Sequence, residues 1–272
     1  MSILEAIIIA IVEGLTEFLP ISSTGHMIIA ERLLGMEGDF VKLFTVSIQL
    51  GAILAVVVLY WKKFFTFSRW QFYLKLIVGV LPALLLGFLF SDRIDDLLES
   101  PLTVVISMLV GGVVLLFIDK LFQTPLIKTE EKITYKKSFI IGCWQVLAMV
   151  PGVSRSASTI IGGMQQRLSR SLAAEFSFFL AVPTMFAASA YSLFLKKWTQ
   201  DGTPQRGYEL IMQSSENTNA FIVGNVVAFV VAVLAIKFFI GFLKRYGFWF
   251  FGLYRILIGI LLLLLILTGY LK

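Results

Sequence analysis

The sequence has very few of the side chains that form disulfides or bind transition metals. Cys143 is its single cysteine and His26 its single histidine among 272 residues. One cysteine excludes an intramolecular disulfide and any cluster of thiolate ligands. One histidine excludes the zinc and haem sites that need several histidines.

Charged residues are also scarce. They make up 15% of the chain, whereas soluble domains carry roughly 25%. Hydrophobic residues make up 58%, and the mean hydropathy is +0.89. A soluble globule of this composition would lack the polar surface to cover itself, and the apolar runs are continuous rather than alternating. The composition therefore predicts an all-α integral membrane protein.

Six apolar segments are long enough to cross a bilayer, which takes about 20 residues. They cover residues 42–61, 71–90, 102–119, 172–195, 220–243 and 249–270. Two further apolar stretches, 3–34 and 136–166, are each interrupted by a polar segment, FLPISSTGH and VPGVSRSAST. Pro20 and Pro151 would each end a helix there, which leaves halves too short to span. We therefore predict six transmembrane helices and two re-entrant helix hairpins.

The two interrupted stretches belong to an internal repeat. A shift of 131 residues places Pro20 on Pro151 and Ser23 on Ser154. Each half of the chain then contains one hairpin and three spans. Because three is an odd number, the second half must enter the membrane from the opposite side, which makes an inverted-topology repeat.

We treat residues 1–272 as a single membrane domain, with one repeat at about 1–125 and the other at about 132–272. The hairpin tips, 20–26 and 151–159, should then meet near the membrane midplane. Non-helical backbone is tolerated at that depth only where protein or a water-filled cavity surrounds it. The repeat therefore predicts a polar cavity between the tips.

The formal net charge of +6 is attributed to membrane topology and not to a nucleic-acid partner. With both hairpins re-entrant, twelve loop lysines and arginines lie on one side and seven on the side of the N-terminus; Arg93 and Lys272 are among the seven. The positive-inside rule assigns the side with twelve to the cytoplasm. Both termini are therefore expected outside.

Two carboxylates precede the first tip. Glu13 and Glu17 are four residues apart, so they share one face of a helix. Carboxylates are unfavourable within a membrane and usually functional there. A pair on one face tends to share a proton or a metal ion. The alternative is that one glutamate faces a loop, or that nearby hydroxyl groups satisfy both.

A hydroxyl-rich segment with the histidine follows directly. Ser22 and Ser23 are four and three residues from His26, so either hydroxyl can face the imidazole on a helical turn. A hydroxyl beside a base is the arrangement of an activated nucleophile. His26 is the competing nucleophile. The alternative is that the serines and Thr24 cap a helix and that His26 is a polar core residue.

The second tip has the composition of a phosphate-binding site. Arg155 lies at the start of a helix, where free N–H groups and the helix dipole attract anions. Its guanidinium suits phosphate oxygens, and Ser154, Ser156 and Thr159 add donors. The alternative is an arginine that only neutralises one of the two glutamates.

Three polar residues fall inside predicted spans. Gln49 could line the cavity, whereas Asn225 and Arg255 could each bond to a neighbouring helix.

At these positions the sequence resembles the undecaprenyl pyrophosphate phosphatases of the bacitracin-resistance type. EGLTEFLPISSTGHM matches the E-x-x-x-E motif of that family with its Ser/His extension. PGVSRSAST fits its P-G-x-S-R-S-x-x-T motif at every specified position. The resemblance covers essentially the whole chain.

The resemblance implies an integral hydrolase of the bacterial inner (plasma) membrane that converts undecaprenyl pyrophosphate to undecaprenyl phosphate and phosphate. It implies a divalent cation, Mg²⁺ or Ca²⁺, and a site that opens to the periplasmic or extracellular side. The expected partners are the polyprenyl pyrophosphate lipid and membrane lipids, with a homodimer as a further possibility and no nucleic acid.

The resemblance also implies roles for individual residues. Glu13 and Glu17 would bind the metal or act in acid–base catalysis, and Ser23 and His26 would be the nucleophile and its partner. The pyrophosphate would be held by Arg155 together with Ser22, Thr24, Ser154, Ser156 and Thr159.

A transporter is the rival class. Secondary transporters are built from inverted repeats with broken helices at the midplane, and buried Glu and His residues relay protons. A flippase for a polyprenyl phosphate would need the same anion site. The Ser–His pair beside the carboxylates favours the hydrolase, because transport needs charge neutralisation and not a nucleophile.

Overall fold

A computed structural model describes residues 1–90, 100–200 and 203–270. The helices of the first half are α1 (Ile3–Thr16), α2 (Ser23–Leu33), α3 (Asp39–Ser47), α4 (Gln49–Leu59), α5 (Trp61–Phe64), α6 (Trp70–Leu89) and α7 (Pro101–Leu121). Those of the second half are α8 (Tyr135–Val146), α9 (Arg155–Gln165), α10 (Arg170–Phe194), α11 (Gly207–Met212), α12 (Ser215–Tyr246) and α13 (Trp249–Leu267). Arg93 and Lys272 of the charge count lie outside the described residues.

The six predicted spans are confirmed. Six helical segments are long and apolar enough to cross a membrane, namely Asp39–Leu59, Trp70–Leu89, Pro101–Leu121, Arg170–Phe194, Ser215–Tyr246 and Trp249–Leu267. The first of them is not one continuous helix, because a turn at Ile48 separates α3 from α4. The protein is therefore an all-α integral membrane protein.

One small β-hairpin departs from the all-helical expectation. The strands β1 (Lys197–Gln200) and β2 (Thr203–Arg206) pair antiparallel after α10.

Each interrupted stretch forms two short helices with a break between them. Ser22 caps α2 by accepting a hydrogen bond from the N–H of Gly25, and Ser154 caps α9 in the same way from Ala157. Both serines have a left-handed backbone, with φ of +70° and +75°. Residues other than glycine rarely adopt this backbone conformation, so the backbone is locally strained at both breaks.

The caps correct the register of the repeat. Ser22 and Ser154 occupy equivalent positions, so Ser23 is equivalent to Arg155 and not to Ser154. The shift at the tips is therefore 132 residues, because the second break has one more residue between its proline and its cap. The division into repeats at 1–125 and 132–272 stays a prediction.

The first hairpin begins and ends at the same end of the bundle. The amino group of Met1 lies 3.3 Å from Glu216, at the start of α12. Arg32, near the end of α2, donates through Nε to the carbonyl of Tyr270, just past α13 (2.9 Å). We call this end the terminal face.

The second hairpin begins and ends at the other end. Lys137 near the start of α8 donates to the carbonyl of Gln166 just past α9 (3.2 Å). The carboxylate of Asp119, at the end of α7, lies 2.6 Å from Arg170 and accepts from the N–H of Phe248 at the turn between α12 and α13 (2.8 Å). We call this end the linker face. The hairpins therefore enter the bundle from opposite ends.

The first helix of each hairpin packs on a span from the other half of the chain, α1 on α12 and α8 on α6. Glycine allows both contacts. A Cβ on Gly14 would lie 2.9 Å from the carbonyl oxygen of Ala228, and one on Gly142 would lie 2.1 Å from that of Gly79. Small residues let membrane helices approach closely, so these contacts hold the hairpins inside the bundle.

Arg255 connects the two breaks. Its side chain is fully buried in α13. The guanidinium donates to five backbone carbonyls, those of Pro20, Gly152, Val153, Ser107 and Met108, at 2.9–3.4 Å. One side chain thereby satisfies carbonyls of both breaks and of α7, where lipid offers no donors.

The charge count generates a prediction about orientation. In a Cys143→Ser background, Gln213→Cys on the terminal face should react with a membrane-impermeant maleimide added to intact cells or spheroplasts. Lys128→Cys on the linker face should react only after the membrane is permeabilised. Both positions are exposed. The reverse labelling pattern would contradict the assignment of the linker face to the cytoplasm.

Loss of the Arg255 guanidinium should destabilise the folded protein. Arg255→Met should lower the free energy of unfolding by about 3 kcal/mol or more, because several buried carbonyls lose their donor. Arg255→Lys should recover only part of this loss, since an ammonium group has three hydrogens and no planar fork. Thermal unfolding in detergent measures both changes; a Met variant as stable as the parent would contradict the role of Arg255.

Candidate active site

A polar cavity lies where the two hairpin tips meet. Six of the predicted site residues line it: Glu17, Ser22, Ser23, Thr24, Ser154 and Arg155. The remaining wall includes Gln49 from α4 and Thr184 from α10. Both halves of the chain therefore contribute to one cavity within the bundle.

Glu17 is at the centre of the contacts between the tips. Its carboxylate is 8% exposed. One oxygen accepts a hydrogen bond from the hydroxyl of Ser23 (2.7 Å), and the other accepts from Nη2 of Arg155 (3.0 Å). A nucleophile candidate of one hairpin and a cation of the other thus share one carboxylate.

Arg155 is held on three sides. Besides Glu17, it donates through Nη1 to the carbonyl of Ser177 (3.0 Å), and its guanidinium lies 5.8 Å from the ring centre of Phe18. Its Nε is buried and has no hydrogen-bond partner among the described residues. A fixed guanidinium with an unused donor, at the first position of α9, is suited to bind an anion.

Glu13 lies one turn before Glu17 and is buried behind the cavity lining. It is 1% exposed, and its Oε1 has no hydrogen-bond partner in the described part of the chain. No group of three metal-ligating side chains occurs within residues 1–90, 100–200 and 203–270. A cation here would therefore have Glu13 and Glu17 as its carboxylate ligands and would complete its shell with water or substrate oxygens, as Mg²⁺ usually does. The unpaired oxygen of Glu13 fits such a ligand role.

His26 does not form the expected contact with Ser23. Its Nδ1 lies 2.7 Å from the carbonyl oxygen of Ser22, which can only accept, so Nδ1 carries the hydrogen. Nε2 lies 2.8 Å from the hydroxyl of Tyr254, whose ring stacks on the imidazole with centres 5.5 Å apart. Both ring nitrogens are therefore engaged, and the hydroxyl of Ser23 bonds instead to the carboxylate of Glu17. The geometric reason is that His26 turns toward α13, away from the cavity.

Two of the predicted phosphate donors are hydrogen-bonded within the protein and do not line the cavity. Ser156 is fully buried and donates to the carbonyl of Leu19 in the first break (2.7 Å). Thr159 is also buried, and its hydroxyl lies 2.6 Å from that of Ser177 on α10. The positions of Ser156 and Thr159 fit the folding of the site better than contact with phosphate.

The sequence did not indicate that Thr184 lines the cavity, nor did it indicate the roles of Arg255 and Tyr254. Arg255 was assigned only a bond to a neighbouring helix, whereas it joins both tips. Tyr254 was not considered, although it orients His26. A charged residue inside an apolar span was the available signal for Arg255; no sequence signal marks Tyr254.

The arrangement combines three chemical functions. Arg155 and the N-terminus of α9 can hold an anion, Ser23 offers a hydroxyl, and Glu17 can accept its proton. These are the groups that phosphoryl transfer to a serine requires.

Comparison with known proteins identifies relatives along the full chain. The family model for bacitracin resistance protein BacA matches residues 6–261. A protein of Flavobacterium johnsoniae is 54% identical over 97% of this chain and 96% of its own length. Relatives from Flavobacterium psychrophilum (55% identical, over 97% and 96%) and Porphyromonas gingivalis (51%, over 99% and 98%) are equally well covered. All three are named undecaprenyl-diphosphatase. This chain belongs to the BacA family of bacitracin resistance proteins.

Proposed function

We propose that this chain is an undecaprenyl-diphosphatase. It removes the terminal phosphate of undecaprenyl pyrophosphate, returns the lipid carrier of cell-wall synthesis as undecaprenyl phosphate and thereby confers bacitracin resistance. This conclusion rests on sequence identity: the chain is 51–55% identical to relatives with that name, over nearly their full length. The polar cavity supplies groups suited to the reaction.

Binding of the diphosphate is assigned to the second hairpin. Arg155 offers its unused Nε and the positive charge of its guanidinium, and the free N–H groups at the start of α9 lie beside it. Ser22, Thr24 and Ser154 line the same cavity. Positioning and electrostatic stabilisation of this kind account for most of the catalysis of phosphoryl transfer.

The chemical steps are assigned to the first hairpin. Ser23 Oγ attacks the terminal phosphorus while Glu17, 2.7 Å away, takes its proton. The bond between that phosphorus and the bridging oxygen breaks, and undecaprenyl phosphate leaves with the electron pair. Glu17 passes the proton from Ser23 to the departing undecaprenyl phosphate and is a carboxylate again. Water then attacks the phosphoserine while Glu17 takes a proton from it, the bond between phosphorus and Ser23 Oγ breaks, Glu17 returns the proton to Ser23 Oγ, and inorganic phosphate is released.

His26 is assigned a positioning role. The competing assignment as nucleophile requires a free ring nitrogen that faces the cavity. In the structure, one nitrogen bonds to the Ser22 carbonyl and the other to Tyr254. The bond to Ser22 supports the strained cap of α2, which in turn places Ser23.

A divalent cation, Mg²⁺ or Ca²⁺, is proposed as the cofactor. Glu13 and Glu17 would hold it, and the unpaired buried oxygen of Glu13 supports that assignment. When bound, the cation would neutralise charge on the diphosphate. Carboxylate oxygens are the ligands that hard cations prefer.

The cavity is proposed to open to the outer side of the bacterial plasma membrane, with both termini outside. The excess of basic loop residues on the linker face supports this orientation. Transport of an anionic lipid is not favoured as the main function, because the curated relatives are named as diphosphatases and transport requires no hydroxyl paired with a base.

Removal of each proposed catalytic group should lower the rate of phosphate release. Ser23→Ala should reduce phosphate release from a long-chain prenyl pyrophosphate by on the order of 1000-fold, because the nucleophile is removed. Glu17→Gln should be similarly severe, and Arg155→Met should lose about 100- to 1000-fold. Release of inorganic phosphate by purified protein in detergent measures each value.

Ser158→Ala is the matched control. This buried serine lies on α9, and its hydroxyl has no hydrogen-bond partner among the described residues. Its removal should leave turnover within about twofold of the parent protein. Turnover by Ser23→Ala near the parent value would overturn the serine mechanism.

The metal proposal predicts loss of phosphate release in EDTA and its return with added Mg²⁺ or Ca²⁺. Glu13→Gln should need a higher cation concentration for half-maximal activity. The cation should also raise the unfolding temperature of the parent protein more than that of Glu13→Gln, because binding stabilises the folded state. Full activity in EDTA would contradict the proposal.

A further inference from the structure

The cavity has a second wall that the proposed reaction leaves without a role. Gln49 at the start of α4 and Thr184 within α10 line it. They come from the spans and not from the hairpins. Polar groups that face a cavity at this depth need an explanation, because lipid cannot satisfy them.

The Thr184 hydroxyl is already engaged within the protein. It donates to the carbonyl of Leu180 (2.8 Å) and accepts from Nε2 of Gln145 (3.1 Å). Thr184 therefore has no hydrogen left to donate to a ligand.

Gln49 is different. No hydrogen bond to its side-chain amide is formed by any described residue, although the amide is partly buried and lies at the middle of the Asp39–Leu59 span. A buried primary amide that is left without a partner costs about 1–3 kcal/mol or more. Because Gln49 lines the polar cavity, a group that occupies the cavity can be the partner of this amide.

The backbone next to Gln49 is held firmly. The N–H of Gly51 donates to Oδ1 of Asn225 on α12 (2.9 Å). The helices touch here: a Cβ on Gly51 would lie 2.1 Å from the carbonyl oxygen of Asn225. The break at Ile48 and this contact fix the first turn of α4, so Gln49 is presented to the cavity from a rigid support.

We propose that Gln49 is a further substrate-binding residue. Its side-chain NH₂ group donates a hydrogen bond to an oxygen of the diphosphate. Arg155 binds the diphosphate from the opposite side of the cavity, where the terminal phosphate also faces Ser23. A neutral amide adds this contact without a further charge inside the membrane. The inference rests on the proposed function, since it assigns the ligand of Gln49 as the diphosphate of that reaction.

The test compares Gln49→Met with Leu54→Met. Methionine keeps the length of glutamine and removes its hydrogen bonds; Leu54 lies on the same helix but is 54% exposed on the lipid side. For each purified variant we would measure kcat, KM for a prenyl pyrophosphate, the inhibition constant of inorganic pyrophosphate and the unfolding temperature.

For Gln49→Met, KM and the inhibition constant should both rise by about 10- to 100-fold, the effect of one hydrogen bond to a charged group. Leu54→Met should match the parent protein. Gln49→Glu should raise both constants further, because a carboxylate repels the diphosphate, and Gln49→Asn should recover part of the loss.

Two results would overturn the inference. One is a Gln49→Met variant within twofold of the parent in both constants. The other is a fall in kcat and unfolding temperature with both constants unchanged, which would indicate a purely structural residue. A parent protein that releases no phosphate would instead contradict the proposed function, and the inference with it.

Discussion

Two breaks in helices lie inside a membrane protein, and each frees backbone carbonyl groups that lipid cannot hydrogen-bond. The rest of the structure depends on how these groups are satisfied. Arg255 donates to carbonyls of both breaks and of α7. Ser156 adds a bond from the second break to the carbonyl of Leu19 in the first. These contacts bring hairpins from opposite ends of the bundle into one place.

The same contacts place the reactive groups. Once the tips are joined, Arg155 of one hairpin lies 3.0 Å from the carboxylate of Glu17 on the other, and Ser23 lies 2.7 Å from its second oxygen. The strained caps at Ser22 and Ser154 start α2 and α9 directly beside the cavity. Strain of this kind persists only where the surrounding structure enforces it, and it is frequent at functional sites.

The spans could be predicted from the sequence because apolar length alone decides whether a helix crosses a membrane. The breaks could be predicted because proline and polar residues interrupt two apolar stretches. The turn at Ile48 could not, since no proline or glycine marks it and tertiary contacts of α4 with α12 support it. The register of the repeat was wrong by one residue at the tips, because identical serines in both segments suggested the wrong pairing.

Within the site, the candidate functional residues could be predicted more easily than the groups to which each of them is hydrogen-bonded. Membrane depth marked Glu13 and Glu17 as functional candidates, and its place at the start of a helix marked Arg155 as a candidate for anion binding. Spacing along a helix suggested that His26 would face Ser23, but spacing does not fix the rotation of a side chain. The stacking of His26 on Tyr254, a residue 228 positions away in the sequence, decides its direction.

We propose that the tips of two oppositely inserted hairpins act as one catalytic unit through Glu17 and Arg155. A double-mutant cycle on kcat/KM for phosphate release, with Glu17→Gln, Arg155→Met and the combined variant, tests it most directly. Residues that act as a unit are strongly non-additive. We expect kcat/KM of the combined variant to be within about threefold of that of the poorer single variant. Losses that multiply would show that the two residues act independently and would contradict it.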